Sequence, residues 1–251
     1  MNKNGLGLLC LALVLVFFSG CATVTHRTNP RFTQYLEKPV RVAVMPPDVK
    51  ISEFTAGGMQ LYKEDWSGEA KNNVIAAIKE ADPQVPQLEF FFFASSALNE
   101  EDKLDLKSQQ GLLNLAAQSI IDHTYMPVTT IPDKVKNFDY TLGAEFAKIS
   151  QYLDADAVLY CSGRNYIWTA GRAMMYLFAS AVFGGSAAAM VPVGSEYFLM
   201  SIVDVKSGDV IWFDYQQMQG DLRDPQVSKK LIGRMLGDIP KALARKKAEH
   251  K

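Results

Sequence analysis

The sequence predicts an α/β fold: a mixed central sheet flanked by helices, with an apolar helical-hairpin insert before a C-terminal β-hairpin and helix. Short β-branched or aromatic runs alternate along the chain with segments of helical periodicity. Such an alternation is typical of helices packed on a sheet. Near the end of the chain, two strand patterns are joined by Lys206-Ser207-Gly208-Asp209, and a glycine at this place favours a tight hairpin.

The strands are predicted from short apolar runs that end at turn residues. Val40–Met45 is a β-branched alternation ended by Pro46-Pro47. The aromatic run Leu88–Phe93 is too short for a helix and predicts a buried strand. The other predicted strands are Val49–Phe54, Ala157–Cys161 with an extension over Arg164–Thr169, Tyr197–Val205, and Val210–Gln216.

The helices are predicted from apolar residues spaced three and four apart. Asp65–Ala81 shows this spacing, and Pro83 ends it. Asp105–Ile121 follows, and after a polar connection at Thr129–Lys136 a further helix is predicted at Asp139–Leu153. The last helix is predicted at Gln226–Lys246, where Pro240 is expected to kink or split it.

The first twenty residues have the features of an export signal. Lys3 precedes Leu6–Phe18, a run of 13 almost wholly apolar residues that is short for a bilayer span. The tetrapeptide Phe18-Ser19-Gly20-Cys21 resembles the lipobox of bacterial lipoproteins, although Leu is commoner at its first position. The resemblance implies that Cys21 becomes the first mature residue, with diacylglycerol on its sulfur and an acyl chain on its amine.

Two alternatives for this segment stay open: an ordinary cleaved signal with a chance cysteine, and an uncleaved anchor helix. Lipoproteins kept in the inner membrane often carry Asp after the cysteine, whereas this chain has Ala22. The resemblance therefore favours the outer membrane, with the protein facing the periplasm. We expect residues 1–20 to be the signal peptide, 21–38 a lipidated polar tether, and 39–251 a single α/β periplasmic domain.

Composition limits the functions that the chain can have. The formal net charge is −1, so no basic surplus indicates nucleic acid, apart from the short tail Arg245–Lys251. Cys10 leaves with the predicted signal and Cys21 is the predicted lipidation site. Only Cys161 then remains, so the mature domain cannot form an intramolecular disulfide.

A second apolar segment, Ala173–Ser195, carries no charge over 23 residues. Gly184, Gly185 and Pro192 divide it into arms too short to cross a bilayer. A membrane β-hairpin would need a polar residue at every second position, and both faces are apolar here. Two interpretations remain: a helical hairpin packed on the domain, or an exposed surface that docks to a partner, sister subunits or the bilayer. We assign a protein-partner or homo-oligomer contact to Ala173–Val193.

Motifs for catalysis, metals or cofactors are not found in the sequence. The three histidines are His26, His123 and His250, and none lies four residues from another. No Gly-Lys-Ser/Thr follows a glycine-rich stretch. Asp154 and Asp156 precede a predicted strand, where a cap or turn is the commoner role. We predict no catalytic, cofactor or metal-binding residue and no small-molecule substrate. Trp66, Trp168 and Trp212 are interpreted as core or interface anchors.

Three phrases resemble a known group of proteins. They are "VRVAVMPP" at Val40–Pro47, "DADAVLYCSG" at Asp154–Gly163 and "FLMSIVDVKSGDVIWFDYQ" at Phe198–Gln216. In this order, behind a lipobox, they are similar to periplasmic lipoproteins of the CsgG, LpoB and TolB-N-terminal-like group. The resemblance implies a non-catalytic assembly or accessory subunit of a secretion or cell-envelope system. The alternatives are an oligomeric pore-forming channel of the CsgG type and a periplasmic hydrolase.

Overall fold

The computed structural model describes residues 26–93, 95–183, 196–218 and 220–249. The predicted signal peptide and Cys21 lie outside the described residues. So does the second arm of the apolar segment, residues 184–195. The remaining structure is a mixed α/β fold with helices on both faces of one sheet, and it confirms the predicted fold class.

Eight strands form the sheet within the described residues, and their spatial order is β1-β8-β7-β6-β2-β5. Strand β3 also pairs with β6, and β4 pairs with β3 at its outer edge. The strands are β1 His26–Thr28, β2 Val40–Val44, β3 Asp48–Phe54, β4 Gln60–Tyr62, β5 Leu88–Phe92, β6 Ala157–Trp168, β7 Tyr197–Asp204 and β8 Val210–Gln217.

Six α-helices and three 3-10 helices accompany the sheet over the same ranges of the chain. The α-helices are α1 Phe32–Tyr35, α2 Glu64–Ala81, α3 Glu100–Thr124, α4 Pro132–Lys136, α5 Ala170–Phe183 and α6 Pro225–Glu249. The 3-10 helices are Asp82–Gln84, Ser95–Ala97 and Ala144–Gln151.

Strand β6 is the central element of the sheet. It is paired along almost its whole length, antiparallel to β7 on one side and parallel to both β2 and β3 on the other. Val44 lies opposite Leu159, and Asp48 lies opposite Ser162. Three residues separate Val44 from Asp48, whereas only two separate their partners on β6, so the segment from β2 to β3 contains one extra residue. The extra residue falls at Pro46-Pro47, whose nitrogens cannot donate to the ladder. Pro46-Pro47 was predicted to end a strand. It does end β2, but β3 begins directly after it and pairs with the same strand, β6.

Each face of the sheet is covered by its own hydrophobic cluster. On one face, α2 and α6 pack over alternate strand residues such as Val42, Leu159 and Met200. On the other face, α3 and the Ala144–Gln151 turn pack over the intervening residues, such as Val158 and Leu199. The alternation that predicted the strands thus serves both cores, because successive side chains point to opposite faces.

Local signals explain where the main helices begin. Asn99 caps α3: its side-chain oxygen accepts a hydrogen bond from the Asp102 amide at 2.8 Å. The side chain of Ser67 joins α2 to the sheet, accepting from the Ile51 amide at 2.9 Å and donating to the Lys63 carbonyl at 2.7 Å. Helix α6 runs without interruption through Pro240, so the predicted split does not occur.

Two predictions about segments are wrong. The tether was predicted to extend over 21–38, but His26–Thr28 pairs antiparallel with β8 and Phe32 is fully buried. The segment from residue 26 onward is therefore part of the fold. An α-helix was predicted at Asp139–Leu153, yet the structure has only a 3-10 helix at Ala144–Gln151. Thr141 forms a bridge with Asp209 just before it, and this pairing requires extended backbone.

The predicted C-terminal hairpin is confirmed, and Gly208 explains its tight turn. Gly208 has φ +73° and donates from its amide to the Asp204 carbonyl at 2.9 Å. A β-carbon on Gly208 would lie 2.5 Å from the carbonyl oxygen of Gly143. Both the left-handed conformation and the close backbone approach therefore require glycine.

Replacing Gly208 by alanine should destabilise the fold more than the same change at Gly58. Gly58 also has positive φ, but no atom lies within 4 Å of the position that a β-carbon would take there. Gly58→Ala should cost about 1 kcal/mol of unfolding free energy from backbone strain alone, and Gly208→Ala about 3 kcal/mol because of the added clash. Denaturant unfolding measures both values. Equal losses at the two positions would contradict the close approach at Gly208.

Candidate interaction surface

The predicted docking segment begins as helix α5, which follows directly on the central strand. Strand β6 ends at Trp168 opposite Phe54, the last residue of β3. The Thr169 amide donates to the Phe54 carbonyl at 3.1 Å, and the Thr169 hydroxyl oxygen accepts from the Arg172 amide at 3.2 Å. A threonine in this place is an N-cap. The sheet edge therefore fixes where α5 starts.

Arg172 holds the first turn of α5 against the sheet. Its side chain is 1% exposed, and its guanidinium carbon lies 3.6 Å from the centre of the Phe54 ring. The same group lies 5.5 Å from the Trp168 ring and donates to the Thr55 carbonyl at 3.1 Å. A desolvated guanidinium over an aromatic face contributes on the order of 2 kcal/mol. Arg172 thus connects the helix to the ends of both β3 and β6.

Tyr176 makes the next contact along the helix, and the large apolar residues on the other side of the helix are exposed. The Tyr176 ring packs edge-on against Trp168 with ring centres 5.3 Å apart. Five apolar side chains of α5 are 40–70% exposed. They are Met174, Met175, Leu177, Phe178 and Val182. A helix of this length is normally amphipathic, with its apolar side buried. Here the described residues leave that side open.

The β3–β4 hairpin extends this exposed surface. Gly171 lies against the hairpin, since a β-carbon there would be 3.6 Å from Cβ of Ala56. The hairpin carries Met59, Leu61 and Tyr62, which are also more than two-fifths exposed. We call these three residues and the five exposed residues of α5 the apolar end. Exposed apolar residues scattered singly are ordinary, but five on one face of a single helix indicate an interaction site.

The histidines and the buried cysteine do not form a site with the apolar end. His26 lies on β1, where burial lowers the pKa of its imidazole. The Nδ1 atom of His123 is 3.3 Å from the Ser119 hydroxyl, one turn earlier on the same helix. His250 lies outside the described residues. Cys161 is fully buried, and burial raises the pKa of its thiol, so it behaves as a small hydrophobe.

The acidic pair before β6 binds Arg41 on the neighbouring strand β2, whereas the sequence had indicated a cap or a turn. Asp156 accepts from the Arg41 amide at 3.0 Å, and Asp154 forms an exposed ion pair with the Arg41 side chain. Within the described ranges, no group of three His, Cys, Asp or Glu side chains is placed to hold a metal ion.

Of the tryptophans, Trp212 is fully buried in the core, whereas Trp66 stacks with cations at the surface, with Arg223 4.1 Å from its ring.

A polar cluster beside the proline break was not predicted from the sequence. Arg164 donates to the Asp48 carboxylate at 2.9 Å and to the Asp48 carbonyl at 2.8 Å. Four residues earlier on β6, the Tyr160 hydroxyl donates to the Asn114 amide oxygen at 2.6 Å. These bonds satisfy polar groups next to Pro46-Pro47, where the ladder is interrupted, so the cluster supports the fold.

Arg172 and the hairpin residues are the parts of the surface that sequence reasoning missed. Arg172 is the last charged residue before the uncharged segment, and a charge at the start of an apolar helix was the available signal. The turn between β3 and β4 contains Gly57-Gly58, a dipeptide that favours turns. Its side chains join α5 through tertiary packing, which no local pattern shows.

Comparison with known proteins gives fold-level likenesses only. No family model matches the chain, and no curated protein matches it. Among solved structures, it is similar to the PelC dodecamer from Paraburkholderia phytofirmans, with 13% identity over 85% of this chain and 94% of that one, at a TM-score of 0.33. The LpoB C-terminal domain from Salmonella enterica matches at 13% identity, with 77% and 96% covered and a TM-score of 0.27. Lipoprotein GNA1162 from Neisseria meningitidis matches at 13% identity, with 82% and 99% covered and a TM-score of 0.32. These scores are too low to support an argument about function.

Arg172→Ala should loosen α5 from the sheet without unfolding the rest of the chain. Loss of a contact worth about 2 kcal/mol should speed amide hydrogen exchange in α5 by more than tenfold. Arg41→Ala is the matched control, because Arg41 also stacks on a phenylalanine, at 4.7 Å from the Phe91 ring, but far from α5. Hydrogen exchange followed by mass spectrometry compares the two variants. Unchanged exchange in α5 after Arg172→Ala would show that this residue does not hold the helix.

Proposed function

We propose that this protein is a lipid-anchored, non-catalytic accessory subunit of a secretion or cell-envelope biogenesis system, and that the apolar end is its docking surface. The observation that carries the proposal is the exposure of eight large apolar side chains on α5 and the β3–β4 hairpin. Fully burying one such side chain contributes about 1.5–3 kcal/mol, so leaving eight in water is costly for a protein that works alone.

The lipobox at Phe18–Cys21 supports the anchoring part of the proposal. The described fold begins at His26, five residues after Cys21. A lipid on Cys21 would therefore hold the folded body close to the membrane surface instead of at the end of a long tether. We propose the outer membrane as the location, with the body in the periplasm and Cys21 as the lipidated residue.

A pore-forming channel of the CsgG type is a weaker account of the same residues. A membrane β-hairpin in Ala173–Ser195 would need strands with polar residues at alternate positions. The described part of this segment is instead helical from Ala170 to Phe183. In the described part of the chain, no helix is both long and apolar enough to cross a membrane.

Changing the proposed anchor should block maturation. Cys21→Ser removes the thiol that diacylglycerol transfer requires, so the full-length precursor should accumulate without radiolabelled palmitate. Cys10→Ser is the control, since Cys10 lies within the predicted signal and should leave processing unchanged. Immunoblotting and palmitate labelling measure the two steps. Normal cleavage and labelling of the Cys21→Ser protein would contradict the anchor.

Placing a charge on the apolar end should abolish function while the fold survives. We expect Phe178→Lys to fail to restore the detergent barrier of the envelope in cells from which the gene has been deleted. Leu115→Lys should restore it, because Leu115 is equally exposed, at 72% against 70%, but lies on α3. Both proteins should unfold within about 0.5 kcal/mol of wild type, since exposed substitutions cost little. Full complementation by Phe178→Lys would contradict a docking role.

A further inference from the structure

The apolar end and the chain that leads to Cys21 lie at the same end of the sheet. Strand β6 runs toward Trp168, where α5 begins, and β8 runs in the same direction toward Gln217. Strand β1 is antiparallel to β8, with His26 opposite Asp214 and Thr28 opposite Trp212. The polypeptide therefore enters β1 from the end at which α5 projects.

The length of chain before β1 can bring Cys21 close to the level at which α5 begins. His26 pairs with Asp214, and through β7 it is level with Cys161, seven residues before Trp168, a distance of about 23 Å along the strand. His26 is five residues after Cys21, and these five steps of the chain span at most about 18 Å, so Cys21 can come within about 5 Å of that level. To lie at the opposite end, Cys21 would need a chain that reverses direction alongside β1.

The shape of α5 suits a surface that lies against lipid. At 100° per residue, its exposed side chains from Leu177 through Phe178 to Met175 occupy an arc of about 160°. Arg172 and Tyr176 lie on the other side of the helix and contact the sheet. From Ala173 to Phe183 the helix has no charged residue. Its 14 residues are about 21 Å long, too short to cross the hydrocarbon core.

Aromatic residues with polar atoms lie behind the exposed arc. Trp168 packs on Tyr176 at the base of α5, and Tyr62 is 53% exposed on the neighbouring hairpin. Tryptophan and tyrosine favour the boundary between hydrocarbon and water, because one end of each ring is apolar and the other is polar. On α5 itself, the aromatic pair Trp168 and Tyr176 therefore lies on the side toward the sheet, and the exposed arc of apolar side chains lies on the other side.

From these observations we propose that the apolar end docks on the lipid bilayer, in the same leaflet that holds the acyl chains of Cys21. The inference rests on the proposed function, in which the apolar end is a docking surface and Cys21 is lipidated. The acyl chains and the short connection to β1 restrict the position of the folded body but still allow it to tilt. Partial insertion of α5 adds a second contact that fixes the sheet with this end toward the lipid.

A fluorescent label on α5 tests this orientation. The mature, lipidated protein carries Phe178→Cys labelled with the fluorophore NBD, in vesicles of phosphatidylethanolamine and phosphatidylglycerol. Cys161 is fully buried and Cys21 is alkylated, so the new thiol is the reactive one. Leu115→Cys is the control matched for exposure, and Lys206→Cys places the label in the hairpin at the opposite end. Unchanged thermal unfolding of the labelled proteins shows that each is folded.

The proposal predicts a several-fold rise in emission for the Phe178 label and quenching by nitroxides attached to lipid chains. The labels at positions 115 and 206 should be quenched by iodide in the water. A Phe178 label that is quenched by iodide instead would overturn the bilayer contact.

A label protected from both quenchers would also overturn it, and would show that protein covers α5. In that case the docking surface stands and its occupant is another protein, a second copy or the chain that follows Phe183. Lowering the ratio of protein to lipid distinguishes these occupants. If the label then becomes accessible to iodide, the protein that covers α5 is a separate molecule. Failure of the proposed function is seen separately, as full complementation by Phe178→Lys.

Discussion

Pairing of β1 with β8 determines how the body is placed relative to its proposed anchor. With His26 opposite Asp214, the last residues before the fold are fixed at an edge of the sheet and approach from the end that carries α5. An anchor five residues away has little freedom to move elsewhere. The tether predicted for 21–38 would have allowed any orientation, whereas a strand that begins at residue 26 restricts it.

The long central strand connects this edge to the apolar end. Strand β6 supports β7 and β8 on one side and both halves of the interrupted β2–β3 strand on the other. Its last residue and that of β3 together form the aromatic seat for Arg172. The helix that exposes the apolar side chains is therefore joined directly to the central strand, at its partly buried end. A surface supported in this way can transmit its contact to the whole body without a hinge.

Sequence patterns predicted the sheet well because its strands are buried on both faces or end at prolines and glycines. They failed at Asp139–Leu153. The apolar residues of this segment have helical spacing and are buried in the core, but they belong to a 3-10 helix and an extended segment instead of an α-helix. There the pairing of Thr141 with Asp209 overrode the local periodicity. They also failed at His26–Thr28, which is too short and polar to show strand periodicity and is stabilised by its partner. The apolar segment was recognised from its composition, but its exposure and its position at the anchored end depend on strand direction, which the sequence alone does not give.

Neutron reflectometry of the lipidated protein on a supported bilayer measures where the folded body lies along the membrane normal. If the lipid on Cys21 and the apolar end share one leaflet, protein density will overlap the headgroup layer, and the long axis of the strands will stand near the normal. A hydrated gap between the headgroups and the folded body, or a sheet lying flat on the surface, would contradict this account.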